Sequence, residues 1–203
     1  MIKIFYDTEF VEDSYGIEPL SIGMAAQGDD GHHLGELYLV RDLTRDLNPI
    51  LRARAERNPF LVEHVLPEVE AANNAGRSTP ISEIPGLVSG FIADAVTQAI
   101  FNGGMAPRAP RRRDVSLWAY YAAYDHVVLA RLFGSMAQLP GHIPMYTHDL
   151  MQEMDRRGVR RDQLPANDDA HNAMADALWC ARAYEIVCRP MRLNGVQHFS
   201  DCS

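Results

Sequence analysis

Two acids, Asp7 and Glu9, interrupt an apolar run that begins Met1-Ile2-Lys3-Ile4-Phe5-Tyr6. Side chains two apart on a strand point to the same face. On a strand, both carboxylates therefore stand together while Ile4 and Tyr6 face the other way. Neighbouring carboxylates repel and are costly to bury unless a cation sits between them. The simplest guest is a hard divalent ion such as Mg²⁺, which takes oxygen ligands. Asp125 follows a strand-like stretch and opens a helical one. A carboxylate there also suits the free N–H groups and dipole of a helix N-terminus, which is the better reading for Asp125 alone. His171 and Asp176 fall at the start and in the second turn of the last helical pattern. Five residues at roughly 100° each place them about 140° apart, so they do not share a helical face. Both reach one site only if His171 lies on the entering turn. Alone, a histidine there is more often a surface or capping residue than a base.

Positioning these residues takes a mixed set of elements. Residues 2–9 read as a first strand, Leu20–Ala26 as a second and Leu37–Val40 as a third. Asp29-Asp30-Gly31 supplies a hairpin turn, so the three form an antiparallel meander. Residues 46–56 suggest a short helix interrupted by Pro49. An apolar segment from Asn58 is closed by Pro67, and 71–80 reads as a loop. Ile84, Leu87, Val88, Phe91, Ile92 and Val96 carry helical spacing, predicting a helix near 82–99. Asn102–Arg113, rich in Gly, Pro and Arg, has the composition of a mobile loop and is the best candidate for a lid, beside the plainer reading of a surface connection. Val115–Tyr120 returns to strand character, and 124–133 is helical. A short helix over 148–157 ends at Gly158. The last helix spans about 169–188, with Asp168 or Asp169 available as its cap, and Pro190 stops it. A mixed α/β sheet with the meander at one side follows. A single domain over 1–190 is expected, with an insert at about 68–114 and a poorly ordered tail at 191–203.

Hydrophobic content of 47% and charged content of 23% are those of a globular chain. The net charge of −8 argues against a protein that coats nucleic acid electrostatically. It does not argue against a nuclease, whose metals supply local positive charge. Arginines cluster at Arg108, Arg111, Arg112 and Arg113, and at Arg156, Arg157, Arg160 and Arg161. Either cluster serves phosphate only if the fold places it beside the acids. No apolar run long enough for a bilayer and no signal peptide are expected. Cys180, Cys188 and Cys202 lack metal-type spacing, and free thiols in a reducing cytoplasm are expected.

Together, Asp7-Thr8-Glu9, Ala123-Tyr124-Asp125 and His171-Asn172-Ala173-Met174-Ala175-Asp176 resemble the three motifs of the DEDDh 3′–5′ exonuclease family: D-x-E on a first strand, an aromatic-Asp pair at a strand-to-helix turn, and H-x₄-D on the last helix. A narrower resemblance is to the RNase AS type of actinobacterial exoribonuclease, carried by Phe5–Phe10, Leu20–Gly23, His64–Pro67, Trp118-Ala119 and Ala123–His126. Tyr121 stands where many DEDDh enzymes have asparagine, a departure shared by the RNase AS type. The resemblance implies an RNase H-like fold, a homodimer and 3′–5′ hydrolysis of single-stranded RNA, with preference for adenylate-rich RNA, to nucleoside 5′-monophosphates. It implies two Mg²⁺ ions, replaceable by Mn²⁺. Asp7 would bridge both, Glu9 and Asp176 would hold the water-activating ion, Asp125 would support the second, and His171 would take the proton from water. Phe10, Leu20 and Ser21 would lie near the terminal nucleotide, Phe10 either stacking on a base or serving as a core aromatic. Alternatives remain a DNA exonuclease of proofreading or repair type, and a non-catalytic nucleic-acid binder.

Overall fold

The computed structural model describes residues 1–44, 49–167, 169–188, 191–193 and 196–198. Strands β1 (Ile2–Asp13), β2 (Gly16–Gly28) and β3 (His33–Val40) form the expected meander, with longer strands than the hydrophobic runs alone suggest. On the other side of β1, β4 (Val115–Ala119) and the two-residue β5 (His148–Asp149) add in parallel. The sheet order is β3-β2-β1-β4-β5, which puts the acid-bearing strand at its centre.

Helices α1 (Pro49–Ala55), α2 (Leu66–Asn74), α3 (Ile84–Asn102), α4 (Ala123–Leu132), α5 (Leu150–Arg157) and α6 (Ala173–Val187) flank the sheet, and a π-helical turn, Leu61–Val65, precedes α2. Alternation along β1 divides the core. Ile2, Ile4 and Tyr6 pack with Val88, Ile92 and Val96 of α3 and Leu129 of α4. Phe5 turns to the other face and packs with Trp179, Cys180 and Ala183 of α6 and with Leu150 and Met154 of α5. Asp7 and Glu9 continue that second face, beneath the start of α6.

Several expectations change. Pro67 does not close a segment. It sits in the first turn of α2, where its missing N–H leaves no bond unmade, and helix replaces much of the expected loop. The cap of α6 is Asn172, whose side chain accepts from the N–H groups of Met174 and Ala175; Asp169 lies upstream of it and Asp168 lies outside the described residues. In the tail, Met191–Leu193 pairs with Val196–His198. Helix α3, at 19 residues with mean hydropathy 1.4, does reach bilayer-spanning length and composition, contrary to expectation. Ile84, Val88, Ile92, Val96 and Ile100 repeat at helical spacing and pack it along the sheet. Cys180 is a buried free thiol, but Cys188 is disulfide-bonded; an odd cysteine count rules out full pairing, not a single bridge. Cys202 lies outside the described residues.

One close approach sets where α6 begins. Gly23 pairs with Asp7 across the β1–β2 ladder. A Cβ on Gly23 would lie 2.3 Å from the carbonyl oxygen of Ala173 and 2.4 Å from the nitrogen of Met174. Only glycine lets the first turn of α6 rest on the strand beside Asp7. Gly23→Ala is expected to cost about 3 kcal/mol through backbone overlap. Urea unfolding checks this; a change under about 0.5 kcal/mol would show that the helix end shifts freely.

Candidate active site

The second face of β1 and the start of α6 meet in a cleft of about 450 Å³, lined by Asp7, Thr8, Glu9, Phe10, Asp125, His171 and Asp176 among others. Carboxylate oxygens of Asp7, Glu9 and Asp176 all lie within 4.8 Å of one another. Strand alternation supplies the first two, and the Gly23 contact brings in the third.

Asp125 approaches from the first turn of α4 and is buried. Its Oδ1 accepts from the Thr8 N–H at 2.9 Å and the Thr8 hydroxyl at 2.7 Å. Thr8, the residue between the two strand acids, thus ties the second acidic motif to the first. Sequence reading passed over it, because a hydroxyl on the opposite side of a strand gives no signal without knowing what faces it. Asp176 is held likewise: Asn167 donates to its Oδ1, and the backbone N–H of His171 donates to its Oδ2 at 2.8 Å.

His171 does lie on the entering turn, as two-residue access to one site demanded. It has φ 73°, a left-handed conformation rare for a non-glycine residue. Strain of this kind costs roughly 1–3 kcal/mol and gathers at functional sites. The ring packs edge-on to Phe60, 4.7 Å between centroids, and against His64 at 5.1 Å. Phe60 and His64 come from the segment around the π-helical turn, whose apolar pattern alone did not reveal this role.

The acids strain one another. Burial raises Asp7 well above the usual carboxylate range, and Asp125, Asp176 and Glu9 add to the rise. Burial, then Asp176 and Asp125, push Glu9 up to about 8. Asp125 rises to about 6 through burial, despite the two Thr8 bonds that favour its charged form. Burial also raises Asp176, against the pull of its His171 and Asn167 bonds. An all-oxygen donor set this crowded fits a hard divalent cation, whose charge would reverse the shifts.

Other candidate residues fall differently. Phe10 lines the cleft beside Glu9 although the two are adjacent, because a β-bulge between them re-aims the strand. Its ring stacks on Tyr124, 5.9 Å between centroids and 8° from parallel. Leu20 and Ser21 are buried, Leu20 among Val11, Val40 and Leu51, and their side chains do not line the cleft. The Asn102–Arg113 stretch is not placed to be a lid. Asn102, Met105 and Arg108 line a separate cavity of about 340 Å³ with Ile2, at the other end of β1. Its arginines are therefore remote from the acids. In the second cluster, Arg156 and Arg157 bind Glu153 and Arg160 binds Asp162, whereas Arg161 lines the acid cleft.

Residues 2–188 match the 3′-5′ exoribonuclease Rv2179c-like domain. The chain belongs to that family. Two curated relatives, the 3′-5′ exoribonucleases Rv2179c and MT2234.1 from two Mycobacterium tuberculosis strains, are each 32% identical over 187 residues, covering 92% of this chain and 93% of theirs. Escherichia coli exonuclease I, solved with a dT13 and with a dA16 oligonucleotide, superposes with TM-scores of 0.56 and 0.55 at 12% and 14% identity. The alignments cover 93% and 91% of this chain but only 41% of those chains. This likeness is one of fold, and it agrees with the RNase H-like sheet expected from the motifs.

The raised acids make stability depend on pH. Glu9 has a folded value of about 8 against an ordinary 4.5. Between these values the folded chain holds a proton that the unfolded chain has released, so stability falls as pH rises. In EDTA, melting is expected roughly 5 °C or more lower at pH 8 than at pH 5.5, with Mg²⁺ restoring more at pH 8. A melting temperature that rises with pH in EDTA would contradict the crowding of these carboxylates.

Proposed function

We propose that this chain is a divalent-metal-dependent 3′–5′ exoribonuclease that releases nucleoside 5′-monophosphates from single-stranded RNA, adenylate-rich RNA included. The observation that carries the reading is the trio Asp7, Glu9 and Asp176, oxygens within 4.8 Å, with His171 bonded through its backbone to one member. Family membership and the order of the acidic motifs support it.

In this reading Asp7, Glu9 and Asp176 would hold divalent cations, and Asp125, fixed by Thr8, would support the cluster. Mg²⁺, or Mn²⁺ in its place, would supply positive charge that stabilises phosphodiester hydrolysis. The chain's own residues do the rest. A ring nitrogen of His171 takes the proton of the attacking water, the general-base role that imidazole most often fills. Phe60 and His64 fix the ring that must do so. Phe10, backed by Tyr124, offers a flat surface to the terminal base, and stacking tolerates any base. The reading extends to a homodimer in the cytoplasm. Leu87 and Phe101, exposed on α3, are apolar surface of the kind a second copy would cover.

A 5′-labelled adenylate RNA and its DNA counterpart, given to the protein with Mg²⁺, test the reading. Stepwise shortening from the 3′ end, faster on RNA and absent in EDTA, is expected. Faster shortening of DNA would overturn the ribonuclease assignment. His171→Ala is expected to lose about 10²–10⁴ in rate while keeping Mg²⁺-dependent thermal stabilisation. Loss of that stabilisation would instead make His171 a metal ligand.

A further inference from the structure

The cleft holds a cation that the acids do not use. Arg161 is the one arginine or lysine among the described residues that line it. The guanidinium carbon sits 4.3 Å from the centroid of the Trp179 indole, over its face. One of its nitrogens donates to the Pro165 carbonyl at 3.1 Å, and the indole N–H donates to the same oxygen at 2.9 Å. Arginine and tryptophan are thus pinned together by a single acceptor. Trp179 is itself fixed, buried in the core one helical turn beyond Asp176 on α6. No carboxylate among the described residues bonds to Arg161, whereas its neighbours Arg156, Arg157 and Arg160 each have one. A planar fork held flat in a cleft, with donors left over, matches a phosphate.

Beside it stand aromatic rings. Trp179 contacts Tyr120 at 5.0 Å, and Tyr120 contacts Tyr121 at 4.7 Å. Tyr121 is 63% exposed and lines the same cleft. It adopts φ 59°, held there by its N–H donating to Asp149. A large aromatic ring kept at the surface in a left-handed conformation is otherwise unexplained. Among the described residues this group shares no ring contact with the Phe10–Tyr124 pair, so the cleft offers two separate stacking surfaces.

We propose that Arg161, braced on Trp179, together with Tyr121 forms a second nucleotide subsite, which grips a backbone phosphate other than the scissile one and stacks the base attached to it. The proposal rests on the exonuclease reading and deepens it. The Asp7–Glu9–Asp176 trio and Phe10 serve the nucleotide being removed; Arg161 and Tyr121 serve the strand that feeds it. Short substrates lose this grip, so processing weakens as the RNA approaches its last residues.

Binding of a fluorescent single-stranded adenylate RNA, measured by anisotropy with Ca²⁺ in place of Mg²⁺ across a salt series, tests it. Arg161→Gln is expected to weaken binding about tenfold and to make the slope of log affinity against log salt shallower by about 0.7, the value of one phosphate on a single strand. Arg161→Lys keeps the charge and is expected to keep the slope, which covers the case in which the glutamine variant folds poorly. Tyr121→Leu is expected to weaken binding severalfold with the slope unchanged. An unchanged slope for Arg161→Gln, or a shallower one for Arg161→Lys, would overturn the proposal. Hydrolysis of the same RNA by the wild-type chain in Mg²⁺ separates the two readings. Hydrolysis with no effect of Arg161→Gln on binding removes the subsite alone. No hydrolysis with a shallower slope removes the exonuclease reading and leaves the subsite.

Discussion

The backbone of Ala173 rests on Gly23, and Gly23 lies opposite Asp7 in the β1–β2 ladder. From this contact the geometry of the site follows. It lowers the first turn of α6 onto the sheet, so that Asp176 meets Asp7 and Glu9. It also places the residue before the Asn172 cap, His171, at the same spot. The packing of α6 against Phe5 and Trp118 holds that arrangement in place from behind. Hydrophobic burial is indifferent to the charges it drags along, and here it forces carboxylates together against their repulsion. A divalent cation placed among such carboxylates would relieve that repulsion.

The polar contacts around the acids divide the labour. Thr8 spends both its N–H and its hydroxyl on one oxygen of Asp125. Asn167 and the His171 N–H take one oxygen each of Asp176. Asp7 and Glu9, in contrast, stand highest against their ordinary titration range, with burial the first cause in each case. The held acids orient the cluster, and the strained pair supplies the demand for a cation. The cleft around them is aromatic rather than basic, in keeping with the chain's charge of −8. In the proposed reading, stacking and one braced arginine would do what a basic groove does in other nucleic-acid binders.

Much of this was legible in the residues. Period-two alternation in Ile4–Glu9 set two acids on one face and Ile4 and Tyr6 on the other, and the cores follow that split. The angular argument for His171 and Asp176 required a histidine outside the helix, where it lies. What could not be read was backbone irregularity. The bulge that turns Phe10 toward the acids and the left-handed residues His171 and Tyr121 break the very periodicities on which sequence reading relies. Capping was misplaced for a related reason: Asp169 and Asn172 are both good caps, and only packing on Gly23 decides where the helix starts. Leu20 and Ser21 belong to the narrower resemblance, yet their side chains are buried. The apolar period of α3 was plain; its full length, and hence its bilayer-like composition, emerged only once the helix ends were fixed.

Burial and acidic neighbours raise both Asp7 and Glu9, Glu9 to about 8, so a divalent cation bound among them would displace a proton from Glu9 near pH 7. Counting the protons released on metal binding tests it most directly. Titration calorimetry of Mn²⁺ into metal-free protein near pH 7, repeated in buffers of different ionisation enthalpy, gives that number. Release of about one proton per chain, lost in Glu9→Gln while Mn²⁺ still binds, is the predicted result. Metal binding without proton release, or release that survives removal of the Glu9 carboxylate, would contradict the account.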